Sequence, residues 1–229
     1  MGIRDYLTDF VHLFFPNLCK ACNQSLFAHE EVLCTNCMYH LPLTDFHLDN
    51  RNETTQQLWA KTTFEFAVSM LYLSKSSRVE EMLYKLKYKK QPEIGRYLGK
   101  YYGDILTPLI QLHKVDAIIP IPIHPKKLRI RGYNQSACFA EGLSIQLGIP
   151  IIDNCLIRTK HTESQTTKSR AERYDNVMEV FTCVSKDQIV GEHILLVDDI
   201  LTTGATICVA SNILVQAGAK VSIATIARA

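Results

Sequence analysis

The chain has 229 residues, 47% of them hydrophobic and 21% charged, with a formal net charge of +2. That composition excludes a disordered or fibrous class, allows one or two domains with a real core, and is too weakly basic to imply nucleic-acid binding by charge alone. No apolar run approaches the roughly 20 residues that span a bilayer, so membrane insertion is not expected.

The first segment, MGIRDYLTDFVHLFFP, carries Asp5, Asp9 and His12 and does not read as a secretory signal. Its apolar residues Ile3, Tyr6, Leu7, Phe10, Val11 and Phe14 form a helical stripe ending at Pro16. Packing on the domain behind it is the expected use of that stripe, ahead of a membrane-surface role, and the chain reads as cytoplasmic. Next come CKAC and CTNC: Cys19, Cys22, Cys34 and Cys37 in the pattern C-x2-C, eleven residues, C-x2-C. Two such knuckles bring four thiolates to tetrahedral geometry around one Zn²⁺, and a complete thiolate shell makes that metal structural. A disulfide pair is disfavoured in a cytosolic chain. Lys20 is the only Lys or Arg between Cys19 and Cys37, so scaffolding is a better reading of this module than nucleic-acid binding. Cys138, Cys155, Cys183 and Cys208 are scattered in apolar surroundings and read as small core residues.

Residues 51–63 turn polar and read as a connection between a 1–50 module and a 64–229 domain. FEFAVSMLYL reads as a strand. SRVEEMLYKLKYKK, with Val79, Met82, Leu83 and Leu86 on one face, reads as a helix capped by Ser76 or Ser77. A second helix starts at Pro92, with a break expected near Pro108. Ala117–Ile121 is a buried strand, and Pro120, Pro122 and Pro125 then force a stiff, irregular turn. Lys126, Lys127, Arg129 and Arg131 follow, with His124 beside them. Such a loop between strand and helix suits a diphosphate, because guanidinium groups grip oxyanions bidentately. Alone it suits a solvated surface or a nucleic-acid patch equally well. Beyond the helix SACFAEGLSIQLG lies the long polar segment IRTKHTESQTTKSRAERYDNV. It carries Arg158, Lys160, Lys168, Arg170 and Arg173, enough charge for a lid over an anionic ligand, with an exposed loop of no role as the alternative.

The last stretch is the most informative. Ile194–Val197 form an apolar strand that Asp198 and Asp199 are expected to end, because adjacent carboxylates are costly to bury. Thr202, Thr203, Gly204, Ala205 and Thr206 then open a helix with small residues that leave backbone N–H groups free for an anion. Gly218 stops that helix and VSIATIA is the closing strand. No Gly-Lys-Ser/Thr is present, which excludes a nucleotide P-loop. Acids beside a phosphate cradle need a partner of their own, either Mg²⁺ or sugar hydroxyls. A ribose 5-phosphate fits, with the ribose diol on the carboxylates; the alternative is an acidic strand end before an ordinary helix capped by Thr.

LLVDDILTTGAT resembles the phosphoribosyl diphosphate (PRPP) motif of type I phosphoribosyltransferases. The resemblance implies an α/β fold with a parallel sheet flanked by helices, behind a small N-terminal zinc ribbon. It also implies PRPP held by Asp198, Asp199 and Thr202–Thr206, and Mg²⁺ carried by PRPP. Together with FPNLCKAC, LKYKK (Leu86–Lys90), PIPIHPKKLRIRGYNQS, RTKHTESQ and ERYDNV, the chain resembles the ComF family over nearly its whole length. Tyr133, Lys127 and Ile130 stand where Phe, Arg and a charged residue are usual. The resemblance implies a role in DNA uptake or DNA use. Lys127, Arg131, Arg158, Lys168, Arg170 and Arg173 become diphosphate candidates, single-stranded DNA and the competence helicase candidate partners, and a homodimer a candidate assembly. No residue identifies an acceptor or a catalytic group. A transferase, a non-catalytic PRPP sensor and a DNA-binding protein therefore all remain open.

Overall fold

The computed structural model describes residues 16–158 and 181–229. The N-terminal stripe up to Phe14 and most of the polar segment, including Lys160, Lys168, Arg170 and Arg173, lie outside the described residues.

Four parallel strands make the central sheet: β1 (Ala67–Tyr72), β2 (Ala117–Pro120), β5 (His193–Leu201) and β6 (Lys220–Arg228), in the order β1-β6-β5-β2. Both edges are covered. Leu43 bridges antiparallel to Leu71 beside β1, and Ile151 bridges parallel to Ile118 beside β2, which uses up hydrogen-bonding groups that an open edge would expose. A separate antiparallel pair, β3 (Leu156–Arg158) and β4 (Phe181–Cys183), flanks the polar segment. Cys155 and Cys183 meet there, with their sulfurs 3.3 Å apart. All four cysteines outside the knuckles are buried, as expected, but these two are neighbours rather than scattered.

Strand side chains alternate between two apolar layers, as they must when helices cover both faces. Val68, Met70, Leu195, Val197 and Ile226 face one layer with α3 (Arg78–Tyr88), α4 (Glu93–His113), α6 (Gln135–Leu147) and the knuckle residues Cys19, Leu33 and Cys37. Ile119, Ile194, Leu196 and Ile223 face the other, with α7 (Ala205–Gln216). Two shorter helices, α1 (Thr35–Tyr39) and α2 (Glu53–Leu58), precede the sheet, and α5 (Pro125–Arg131) follows β2.

Several elements depart from the sequence reading. Residues 51–63 carry α2, capped by Asn52, which accepts from Thr55 N–H at 3.0 Å; Thr54, Thr55 and Leu58 are buried. The α4 helix runs through Pro108 unbroken. Pro108 and Asp104 both lie on the exposed side, so the carbonyl that loses its donor faces water. The expected irregular turn after β2 occupies residues 121–124, but the basic stretch read as its continuation is the helix α5, because Pro125 sits in its first turn and His124 Nδ1 accepts from Lys126 N–H at 3.1 Å.

The closest packing joins α4 to α6. Gly95, Gly99 and Gly103 recur every fourth residue on one face of α4, and Gly142 answers them from α6. A Cβ on Gly99 would lie 2.2 Å from the Phe139 carbonyl oxygen, and one on Gly142 2.1 Å from that of Arg96. Those obstacles are backbone, so only separating the helices relieves them. Gly99→Ala gains up to about 1 kcal/mol of helix propensity, yet overpacking costs about 1–3 kcal/mol or more. We expect a net loss near 2 kcal/mol, or about 4–8 °C in Tm. Thermal unfolding with an unchanged or raised midpoint would show that the helices are not in backbone contact.

Candidate functional site

The helices that follow β2 and β5 lie on opposite faces of the sheet: α6 in the first layer, α7 in the second. A crevice therefore opens between the carboxyl ends of these two adjacent strands, the position where open α/β sheets hold ligands. Asp198 and Asp199 stand at its rim.

The strand does not end at the acids. It stays paired with β6 to Leu201, through Asp198↔Thr225 and Ile200↔Ala227. The expected desolvation cost is met locally. Ser136 Oγ, in the first turn of α6, donates to Asp198 Oδ1 at 2.8 Å, and the Asp199 N–H donates to the same oxygen at 2.9 Å. Asp199 faces Lys87 of α3, with Nζ 3.0 Å from Oδ2 and both side chains largely buried. Burial, then the charge of Asp199, pushes Asp198 up to about 7, against the pull of the Ser136 and Asp199 donors and Lys87.

Beyond Leu201 the chain turns through Thr202 and Thr203 to Gly204, which takes φ +80° and ends the turn just before α7. That conformation favours glycine, and a Cβ there would also meet Leu58 Cδ2 at 2.7 Å, so the Leu58 side chain would have to shift to admit one. Thr202, Thr203, Ala205 and Thr206 are exposed. The first i→i−4 bond of α7 runs from Cys208 N–H to the Gly204 carbonyl, so the amides of residues 205–207 precede the helical ladder and have no helical acceptor. Gln57 Nε2 of α2 donates to the Thr202 carbonyl and holds the turn from behind, while Arg228 Nη2 donates to Gln57 Oε1 at 3.3 Å.

The basic candidates divide. Arg158 lies half-buried over the Phe181 ring at 5.3 Å; burial pulls its guanidinium below the ordinary value, and the Asp198 carboxylate opposes that shift. Arg131 stacks on Tyr88 at 5.3 Å and donates to Gln135 Oε1 at 2.7 Å. Lys127 is exposed on α5. The Arg-Gly-Tyr-Asn-Gln-Ser stretch is an anchor. Gly132 ends α5 at φ +85°, Tyr133 OH donates to the Leu86 carbonyl, and Asn134 caps α6 and donates to the Ile121 carbonyl at 2.9 Å. Ser136 then reaches Asp198. Lys87, Ser136, Gln57 and Leu58 were not picked out as site residues from sequence. LKYKK and RGYNQS contained the first two as family segments; nothing in the polar 51–63 stretch marked the others.

In the N-terminal module the sulfurs of Cys19, Cys22, Cys34 and Cys37 all lie within 4.8 Å of one another, with Cys22 and Cys34 3.7 Å apart. Zn–S bonds of about 2.3 Å place tetrahedral sulfurs about 3.8 Å apart, so the donor set fits a structural zinc. Burial opposes ionisation of Cys19, but the Cys34, Cys22 and Ala21 N–H donors outweigh it and bring the thiol down to about 7. Burial, then the neighbouring Cys22 thiol, raises Cys37. Among the described residues no helix is long and apolar enough to cross a membrane.

Sheet order, helix placement and the acidic strand end define a type I phosphoribosyltransferase-like fold. Residues 134–229 match the phosphoribosyl transferase domain. The chain is 32% identical to Competence protein F of Haemophilus influenzae over 61% of this chain and 62% of that one. It is 27% identical to Competence protein ComFC of Streptococcus pneumoniae over 89% and 83%. It is 25% identical to DNA utilization protein YhgH of Escherichia coli K12 over 88% and 86%. The chain is thus similar to the competence proteins of the ComF family and carries a phosphoribosyltransferase-like domain. A solved adenine phosphoribosyltransferase is also similar, at 16% identity and a TM-score of 0.42 over 62% of this chain and 74% of that one.

An acid whose native pKa is raised favours the folded state only while it is protonated there. Between about pH 4 and pH 7 folded Asp198 holds a proton that the unfolded chain has lost, so wild-type stability from this group falls across that window and levels off above it. Asp198→Asn cannot ionise. Its stability gain over wild type, measured by urea unfolding, should grow from pH 4 to pH 7 and then stay flat; a pH-independent difference would place Asp198 in an ordinary solvated setting.

Proposed function

We propose that the crevice binds PRPP with Mg²⁺, and that the protein transfers the phosphoribosyl group to an acceptor. The observation that carries this reading is the acidic pair held one short turn from an exposed helix entrance at the carboxyl ends of β2 and β5, where Gly204 offers no side-chain cap and Ala205 N–H has only a long bond, 3.4 Å, to Thr203 Oγ1. In this reading Asp198 and Asp199 accept from the ribose hydroxyls. Thr202–Thr206 hold the 5-phosphate through backbone N–H groups and hydroxyls. Lys127, Arg131 and Arg158 face the diphosphate, with Lys168, Arg170 and Arg173 joining from the segment outside the described residues. Mg²⁺ enters with the diphosphate and offsets its charge.

The bond from ribose C1 to the diphosphate oxygen breaks as the acceptor's lone pair reaches C1, and the diphosphate leaves with the bonding electrons. The protein's contribution is to hold the ribose still and to neutralise the leaving group. Lys87 neutralises Asp199 in the ligand-free site and stands where it can turn to the diphosphate.

A second reading has its own support. Tyr84 and Tyr88 are exposed and adjacent, with ring centroids 5.2 Å apart. Lys89 sits 5.8 Å from the Tyr84 ring and Arg131 5.3 Å from that of Tyr88. Aromatic faces between cations suit the stacked bases of single-stranded nucleic acid, and the relatives' names speak of competence and DNA utilization. In that role the protein assists DNA uptake by holding single strands; sensing PRPP without turning it over is a separate, third role.

Calorimetry with PRPP and Mg²⁺, and diphosphate release with bases, amines and nucleosides, with and without single-stranded DNA, separate these roles. Release with an acceptor supports transfer; tight binding without release supports sensing; DNA affinity that falls steeply with salt supports the nucleic-acid role. Asp199→Asn should keep the fold and weaken PRPP binding by about a hundredfold, the scale of losing a charged hydrogen-bond partner. Unchanged affinity in that variant sinks the ribose assignment.

A further inference from the structure

We infer that the cysteine module acts on the phosphate site through the last turn of α3, with Lys85 as its positioning residue. This rests on the reading of the acidic pair as a ligand site. Three consecutive residues of that turn reach three different parts of the molecule.

Lys85 points into the knuckle. Its side chain is only 11% exposed, and burying an ammonium there requires partners. Nζ donates to the Lys20 carbonyl at 2.8 Å and to Asn23 Oδ1 at 2.6 Å, and lies 3.4 Å from Glu81 Oε1, three acceptors for three protons. Both knuckle acceptors are fixed by the turn that carries Cys19 and Cys22. Asn23 adopts φ +61° and its N–H donates to the Cys19 carbonyl at 2.9 Å. The next residue, Leu86, offers its carbonyl to Tyr133 OH of the basic segment. Lys87, about 200° around the helix from Lys85, reaches Asp199. The turn is thus clamped between the cysteine module and the acids. A shift at Lys85 moves Lys87, and with it the charge facing Asp199.

A merely structural Lys85 would affect melting and leave ligand affinity alone, or weaken it independently of Lys87. The test uses the full, zinc-loaded chain and four forms: wild type, Lys85→Met, Lys87→Met and the double variant. Zinc content and melting are recorded, and Mg²⁺–PRPP affinity is measured by calorimetry. Lys87→Met should weaken binding about tenfold and Lys85→Met about fivefold, with zinc retained. The double variant should bind no worse than Lys87→Met, because one residue works through the other. Lys87→Arg, which keeps the charge, should recover most of the loss. Wild-type affinity in Lys85→Met, or losses that multiply in the double variant, would overturn the inference.

Should wild type show no PRPP binding, the ligand reading fails by itself and hydrogen exchange still decides the coupling. Lys85→Met should speed exchange at residues 84–87 and 199–204, and protection equal to wild type refutes it. If Lys85→Met does not fold, Asn23→Gly removes one acceptor while keeping the backbone conformation, with the same expectations.

Discussion

Two adjacent carboxylates at the end of a buried central strand are the constraint around which the rest is arranged. A parallel strand covered on both faces has no water to offer them until its carboxyl end. Beside the Asp199 N–H on Asp198, the protein meets that cost with one side-chain donor for each acid from a different direction: Ser136 from the start of α6, Lys87 from the end of α3. Neither donor is free to wander. Ser136 sits in a first turn capped by Asn134, itself tied to the Ile121 carbonyl, and Tyr133 of the same stretch anchors the Leu86 carbonyl beside Lys87. The acids are therefore held unequally. Asp199 is paired with a cation, while burial and its neighbour raise Asp198 toward neutral pH.

That arrangement depends in turn on packing far from the acids. Ser136 occupies its place because α6 lies in backbone contact with α4, and that contact exists because glycines recur along α4 and Gly142 answers them from α6. The turn after Leu201 is similarly determined from behind. Leu58 lies close behind residue 204, and Gln57 holds the Thr202 carbonyl, so α2 backs the turn that opens α7. The α2 helix is short, but its capping Asn52 also donates to the Ala67 carbonyl of β1, which joins the helix to the sheet it serves.

What the sequence disclosed follows from range. Local signals carried well. The apolar run before Asp198, the small-residue helix entrance, Gly218 after α7, Ser77 before α3 and the spaced cysteines each depend on neighbours within a few residues, and each stands where the pattern put it. Signals that needed a partner from elsewhere did not carry. The strand was expected to stop at the acids because sequence shows their charge and not Ser136 or Lys87. Residues 51–63 look like a connection because Thr54, Thr55 and Asn52 are polar, yet all three are buried against β1 by hydrogen bonds to distant groups. Pro125 was read as a breaker, although in the first turn of a helix it removes no needed donor.

The cysteine module shows the same lesson in energetic form. As sequence it is a detachable unit, two knuckles before a polar stretch. As structure its cysteines share the apolar layer of α3, α4 and α6, and its first turn receives a buried lysine. A four-cysteine site needs no catalytic function to matter for the crevice. Drawing the sulfurs together fixes the turn, the turn fixes the acceptors of Lys85, and a lysine with all three protons engaged fixes the helix that presents Lys87. Since an exposed ion pair is worth little and a largely buried one depends on geometry, the pair at Asp199 is where small shifts in that chain of contacts register most strongly. The cysteine module and the acidic strand end thus meet one helical turn, through Lys85 on one side and Lys87 on the other.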